Sequence, residues 1–264
     1  MKLTRLLLII LLAGCASNPY RQTNKVYKNH VKEYAKLLRQ YPLQDSASTS
    51  PYFVGTTNST MRRPNIVVIH HTAQNSCDQT LKTFTLPRTA VSAHYVICRD
   101  GIVFHMLNDL LRAHHAGVSK WGNNSDLNSS SIGIEIDNNG FEPFTEAQIN
   151  SLLLLLGRLK RTYSIPDANF VGHADVAPGR KVDPSRYFPW KQLADNGFGL
   201  WYDTANVKIP VGFDAMRALR VIGYNIKDSV AAIQSFKIHF VQNDSLYQIT
   251  DADKKILFDL SGKY

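Results

Sequence analysis

The sequence predicts a mixed α/β protein, a central β-sheet flanked by helices, on three observations. The β-branched run Ile66 to Ile69 and the alternation of SIGIEID at 131–137 have the character of strands. Between Thr145 and Tyr163, apolar residues recur at helical spacing. Beyond about Tyr202 only short amphipathic helical segments follow. With 44% apolar and 19% charged residues among 264, the chain can bury a substantial core and is neither a disordered nor a fibrous protein. Its length accommodates one large domain and a small one.

In chain order, Lys2 and Arg5 precede the apolar run Leu6 to Leu12, the charged and hydrophobic parts of an export signal too short to span a bilayer. The run ends Leu12-Ala13-Gly14-Cys15, which resembles the bacterial lipobox, where the cysteine thiol carries diacylglycerol. An ordinary secretory signal with an incidental Cys15 is the alternative. Ala16, rather than Asp, implies by the rule for such lipoproteins an outer-membrane anchor facing the periplasm. Residues 1–14 are then the signal peptide and 15–61 a lipidated tether. Within it Val31, Tyr34, Leu37, Leu38 and Tyr41 predict a short helix, and 46–60, where eight of fifteen residues are Ser or Thr, reads as flexible chain or a surface loop.

The main domain is expected over 62–203. Ile66-Val67-Val68-Ile69-His70-His71 suits a strand buried on both faces, and Asp78 to Thr85 a short helix stopped by Pro87. His94 to Ile97 and Ile102 to His105 flank Arg99-Asp100-Gly101, a hairpin signal. In SIGIEID the three isoleucines share one strand face, so Gly133, Glu135 and Asp137 take the other. Thr145 can cap a helix whose stripe is Ile149, Leu152, Leu153, Leu156 and Leu159. Phe170-Val171 is a last strand leading into Gly172-His173. Over 204–264, segments around Met216/Leu219/Ile222, Val230/Ile233/Phe236 and Ile256/Leu257/Leu260 make a three-helix module too small to be readily stable undocked.

His70 ends one strand, His173 follows another, and Asp183 lies ten residues further on. Two imidazoles and a carboxylate on separate strand ends can fill three tetrahedral zinc positions and leave the fourth to water, though no compact HExxH motif supports this. With Cys15 acylated, Cys77 and Cys98 are an even pair for which export permits a disulfide; two buried thiols are the alternative.

Five ordered motifs carry a resemblance: IVVIHHTA at 66–73, VSAHYVI at 91–97, HAG at 115–117, SIGIEI at 131–136 and GHADVAPGRKVDP at 172–184. They resemble the type-2 N-acetylmuramoyl-L-alanine amidases, whose fold is shared with peptidoglycan recognition proteins, over about residues 62–200. The lipobox and helical tail are similar to the outer-membrane lipoprotein branch, with 204–264 resembling a peptidoglycan-binding module. The resemblance implies one zinc ion on His70, His173 and Asp183, with Glu135 as general acid/base and Lys181 holding the oxyanion. His94 and His115 match groove positions that contact peptide or glycan, and Trp121 offers either a sugar-stacking face or a core side chain. His71, next to a ligand, points to the other strand face and is expected to pack or hydrogen bond. An aromatic is expected where His114 stands.

The implied function is hydrolysis of the amide between the lactyl group of N-acetylmuramic acid and L-alanine, with peptidoglycan or muropeptides as partner and a lipid tie to the membrane. A metal-free recognition protein of the same fold is the rival, but such proteins typically lack the third ligand, present here as Asp183. A net charge of +9 suits any polyanion, yet no helix-turn-helix, zinc finger or aromatic-basic RNA motif supports nucleic acid. No Gly-x-Ser-x-Gly supports a serine nucleophile. No obligate protein partner is implied.

Overall fold

The computed structural model describes residues 18–40, 55–61, 63–244 and 246–264. Cys15 and the export segment before it lie outside the described residues. The chain divides into two compact units, Met1–Ser59 and Thr60–Tyr264. In the first, α1 (Arg21–Leu38) is an amphipathic helix with no buried residue; Tyr41 and most of the Ser/Thr-rich stretch fall outside the described residues. Among the described residues no helix is long and apolar enough to cross a membrane.

The second unit runs β1 (Ile66–His71), α2 (Cys77–Thr85), β2 (Tyr95–Ile97), β3 (Val103–His105), α3 (Leu127–Ser130), β4 (Ser131–Ile136), α4 (Glu146–Tyr163), β5 (Phe170–Gly172), α5 (His173–Val176) and α6 (Trp190–Asp195). It then continues through α7 (Ala215–Ile222), α8 (Ser229–Phe236) and α9 (Asp251–Ser261). The strands form one sheet in the order β3-β2-β4-β1-β5. β1 is parallel to both β4 and β5, and β2 is parallel to β4, whereas β2 and β3 form the antiparallel hairpin that the Arg99-Asp100-Gly101 turn predicts. Gly101 makes that turn at φ 84°, a left-handed conformation that costs glycine little.

Alternation divides the sheet's side chains between two cores. Val67 and Ile69 of β1 and Ile132, Ile134 and Ile136 of β4 pack beneath Leu152, Leu155, Leu156 and Leu159 of α4. Thr145 caps α4 in a reciprocal capping box with Gln148, which satisfies two of the helix's free amides. Leu154, inside the run of leucines, points outward at 78% exposure, as an amphipathic surface helix requires.

On the other face, Ile66, Val68, Val171 and Val176 share a core with Leu219, Ile222, Phe236, Leu257 and Leu260 of the C-terminal helices. Residues 204–264 therefore cover the second sheet face rather than standing beside it. Val230, expected in the stripe of α8, is half exposed, and Ala231, Ala232, Ile233 and Phe236 are buried in its place. A π-helical turn at Lys237–Val241 follows α8 and carries His239 inward. His239 Nδ1 lies 2.7 Å from Asp175 Oδ2 and its ring stacks on Trp190 at 3.8 Å. Tyr224 donates to Asp175 Oδ1 at 2.7 Å and the Gly172 amide to Oδ2 at 2.7 Å, so the buried Asp175 carboxylate is fully used. Cys77, at the start of α2, is disulfide-bonded to Cys98, just after β2, with Cα atoms 5.3 Å apart.

Ending the chain at Asp203 strips Val68, Val171 and Val176 of their cover and leaves Asp175 without two partners, so the shortened protein should lose its cooperative thermal transition. Leu219→Ala in the full chain should cost about 2–5 kcal/mol. A truncated chain that melts like the parent would instead make the helices an independent module. In non-reduced, denatured protein neither Cys77 nor Cys98 should alkylate, and reduction should cost about 3 kcal/mol.

Candidate metal centre

β1 delivers the first functional side chain. Its buried apolar residues alternate until His70, which stands on the same sheet face as Ile66 and Val68 at the carboxyl end of the strand. The parallel register sets His70 directly opposite Glu135 of β4. β5 and the start of α5 bring in His173, and the loop after α5 returns Asp183 to it. The Ala174 amide donates to the Asp183 carbonyl at 2.7 Å, which holds that return.

Three ligand atoms converge. His70 Nδ1 lies 2.9 Å from His173 Nδ1 and 3.1 Å from Asp183 Oδ2, and His173 Nδ1 lies 3.0 Å from the same oxygen. All three residues are buried. Around a tetrahedral cation, nitrogen and oxygen donors at about 2.0–2.2 Å stand about 3.3 Å or slightly more from one another. The triangle therefore accepts a metal ion after opening by a few tenths of an ångström. The second nitrogens of both rings point away to protein partners: His70 Nε2 stands 3.1 Å from His115 Nδ1, and His173 Nε2 3.1 Å from the Ala116 carbonyl.

The electrostatics agree with such a site. Burial, together with the neighbouring His173, brings His70 down to about 4, so its ring is neutral at physiological pH and free to be a ligand. Burial alone would raise Asp183, but the His173 and His70 rings beside its Oδ2 outweigh it and hold the carboxyl well below the usual range. Glu135 behaves oppositely: burial, aided by the negative Asp183, pushes it up to about 8, with Lys181 opposing the rise. Its Oε1 lies 4.0 Å from His70 Nδ1, and its Oε2 is buried without a hydrogen-bond partner. Half-buried Lys181 stands two residues before Asp183, on the loop that follows α5.

The other sequence-selected residues are placed differently. His94 has no exposed surface; it accepts from the Gly133 amide at 3.0 Å, and its Nε2 lies 3.0 Å from the Leu111 carbonyl. Both nitrogens tie β4 to the preceding loop, so His94 is a structural tie rather than a groove contact. His115 is buried beside His70, its Nδ1 3.1 Å from His70 Nε2. Trp121 belongs to the core shared with the C-terminal helices, edge-on to Tyr224 at 5.1 Å, and is not a sugar platform. His71 accepts from the Ser185 amide at 3.1 Å, and His114 is exposed. Sequence reasoning missed Ser131, Asn128 and Arg180. Ser131 opens the SIGIEI motif and Arg180 lies within GHADVAPGRKVDP beside Lys181, signals that could have marked them; nothing local marks Asn128.

The N-acetylmuramoyl-L-alanine amidase profile matches residues 60–186. The chain is 33% identical over 210 residues to the N-acetylmuramoyl-L-alanine amidase AmiD of Escherichia coli, a match covering 67% of this chain and 75% of that protein. Its fold is similar to that of E. coli AmiD in complex with anhydro-N-acetylmuramic acid-L-Ala-D-gamma-Glu-L-Lys, with a TM-score of 0.70 at 30% identity over 80% of this chain and 93% of that one. It is equally similar to AmpDh3 from Pseudomonas aeruginosa in complex with anhydromuramic pentapeptide, with a TM-score of 0.71 at 30% identity over 82% of this chain and 98% of that one. With a buried His-His-Asp triangle at the carboxyl end of its central strand and these relatives spanning most of its length, the chain belongs to the N-acetylmuramoyl-L-alanine amidase family.

Proposed function

We propose that this protein hydrolyses the amide between the lactyl group of N-acetylmuramic acid and L-alanine in peptidoglycan or its muropeptides, with one zinc ion held by His70 Nδ1, His173 Nδ1 and Asp183 Oδ2. The observation that carries the reading is the triangle of donor atoms at 2.9–3.1 Å with the unpartnered carboxylate oxygen of Glu135 beside it. Two neutral nitrogens and one carboxylate suit zinc and leave a position open for catalysis. Zinc bound there supplies Lewis acidity, polarising the scissile carbonyl and making water a nucleophile near neutral pH.

The remaining work falls to the chain. Glu135 takes a proton from the attacking water on its free oxygen and returns it to the departing amine, so the C–N bond breaks to a lactyl carboxylate and a free L-alanine amine. Its raised proton affinity fits a group that must both accept and donate near pH 7. The Lys181 ammonium stabilises the oxyanion as charge builds on the carbonyl. A cleft of about 240 Å³ opens beside Lys181, lined also by Arg186 and, from the C-terminal segment, Gln234, Gln242 and Tyr247. Lys181 and Arg186 on its wall, which Asp244 also lines, offer cationic contacts for the carboxylates of a stem peptide. The muropeptide fragments bound to the AmiD and AmpDh3 structures support that substrate class.

Lys2, Arg5 and the Leu-Ala-Gly-Cys run support attachment through Cys15 to the outer membrane on its periplasmic side. Fatty-acid labelling should be lost in Cys15→Ser, which should also leave the membrane fraction; an unmodified Cys15 in the mature membrane protein would overturn the anchor.

For the reaction, His70→Ala or His173→Ala should abolish both bound zinc, measured by elemental analysis, and turnover. Glu135→Gln should keep zinc while turnover falls about 10²-fold or more. Mass spectrometry of digested muropeptides should show intact glycosidic bonds and a free L-alanine amine, with no product when a chelator is present. A cut between two amino acids, or a fully active Glu135→Gln, would refute the assignment.

A further inference from the structure

Neither histidine of the triangle can serve as a ligand unless its Nδ1 is bare, and with Nδ1 atoms 2.9 Å apart a proton on either would close the site. What keeps both bare lies outside the triangle, in two adjacent residues. We propose that the His115-Ala116 segment, anchored by Ser131 and Asn128, is the positioning element that holds both metal-site histidines as Nε2–H tautomers; this rests on the zinc reading above.

The protons follow from groups that can only accept. The Ser131 hydroxyl contacts the Leu127 carbonyl, which has no hydrogen to give, so the hydroxyl proton is spent there. Ser131 Oγ is left as an acceptor, and the atom facing it at 3.2 Å is His115 Nε2, which must carry its ring's proton. His115 Nδ1 is then a lone pair, and it can only receive the proton of His70 Nε2, 3.1 Å away. That leaves His70 Nδ1 bare, facing His173 and Asp183. Were His115 turned to the other tautomer, its Nδ1–H would face His70 Nε2 and drive the His70 proton onto the nitrogen the metal needs.

His173 is fixed from the next residue. Its Nε2 faces the Ala116 carbonyl at 3.1 Å, and an acceptor there requires Nε2–H. Arg180 Nη2, which stands 3.3 Å from the same Nε2, is closer to the Ala116 carbonyl and donates to it; the oxygen's two lone pairs serve both donors. Asn128 Oδ1 in turn accepts from the amides of His115 and Ala116 at 3.0 and 2.8 Å, so one side chain sets the segment that sets both rings. The His115 ring lies flat against β4, where any side chain at Gly133 would run into it. That close approach accounts for a glycine in the middle of a buried strand, where it otherwise weakens pairing.

Orienting partners of this kind typically govern metal affinity by 10–100-fold. In chelator-competition titrations of the folded full chain, His115→Phe, which removes the acceptor for His70 Nε2–H, should weaken zinc binding within about that range, and Ser131→Ala should weaken it toward the lower end. His115→Asn, whose amide oxygen can still accept from His70, should stay within a few-fold of the parent, a rescue that mere loss of packing would not give. Long-range nitrogen–proton NMR correlations on the zinc-loaded parent should show His115 and His70 in the Nε2–H form. His115 found as Nδ1–H, or His115→Phe binding zinc as tightly as the parent, would overturn the proposal. A parent that binds no zinc in the same titration would instead refute the metal reading, so the two failures are distinguishable.

Discussion

Parallel pairing of β1 with β4 is the constraint on which the rest of the site depends. It places Val68 beside Gly133 and His70 beside Glu135, both pairs on one sheet face, while the aliphatic residues between them lock the opposite face under α4. Because side chains alternate with period two, a slip of one residue would bury a carboxylate and an imidazole beneath α4 and eject isoleucines into the site. The hydrophobic core thus holds the register, and the register brings His70 Nδ1 within 4.0 Å of Glu135 Oε1.

The second constraint is the cover on the site's own face. β5 ends in Gly172, α5 begins at His173, and Asp175 on that single turn is gripped by Tyr224 and His239 from the C-terminal helices. A helix of four residues has little stability of its own. Its position, and hence that of His173, is imposed by the tail packed against it. The tail therefore acts on the candidate metal centre through the backbone that carries His173.

Burial gives these few groups opposite characters. Away from water, His70 stays neutral, Asp183 stays ionised beside two imidazoles, and Glu135, with its second oxygen unpaired, holds a proton more readily than a solvated glutamate. The two carboxylates differ in partners more than in depth. One is arranged to hold charge and the other to take up a proton.

Strand faces, the α4 stripe and the hairpin turn were legible from the chain alone, since alternation, helical period and turn chemistry are local properties; spacing only suggested His70, His173 and Asp183 as a metal triad, which the structure brings together, and the role of Glu135 rested on the family resemblance. The burial of His94 and Trp121 was not legible, because exposure depends on what other segments pack above a residue. Trp121 is buried by Tyr224 and its neighbours, about a hundred residues later in the chain, and His94 by the backbone of β4. Likewise the sequence marks 204–264 as helical and apolar on one side, but only the tertiary structure decides that this side closes over β1 and β5. The same holds for the protons on His70 and His173: residue type supplies two nitrogens per ring, and it is the carbonyls of Leu127 in α3 and of Ala116, set beside them by the fold, that decide which nitrogen is left bare.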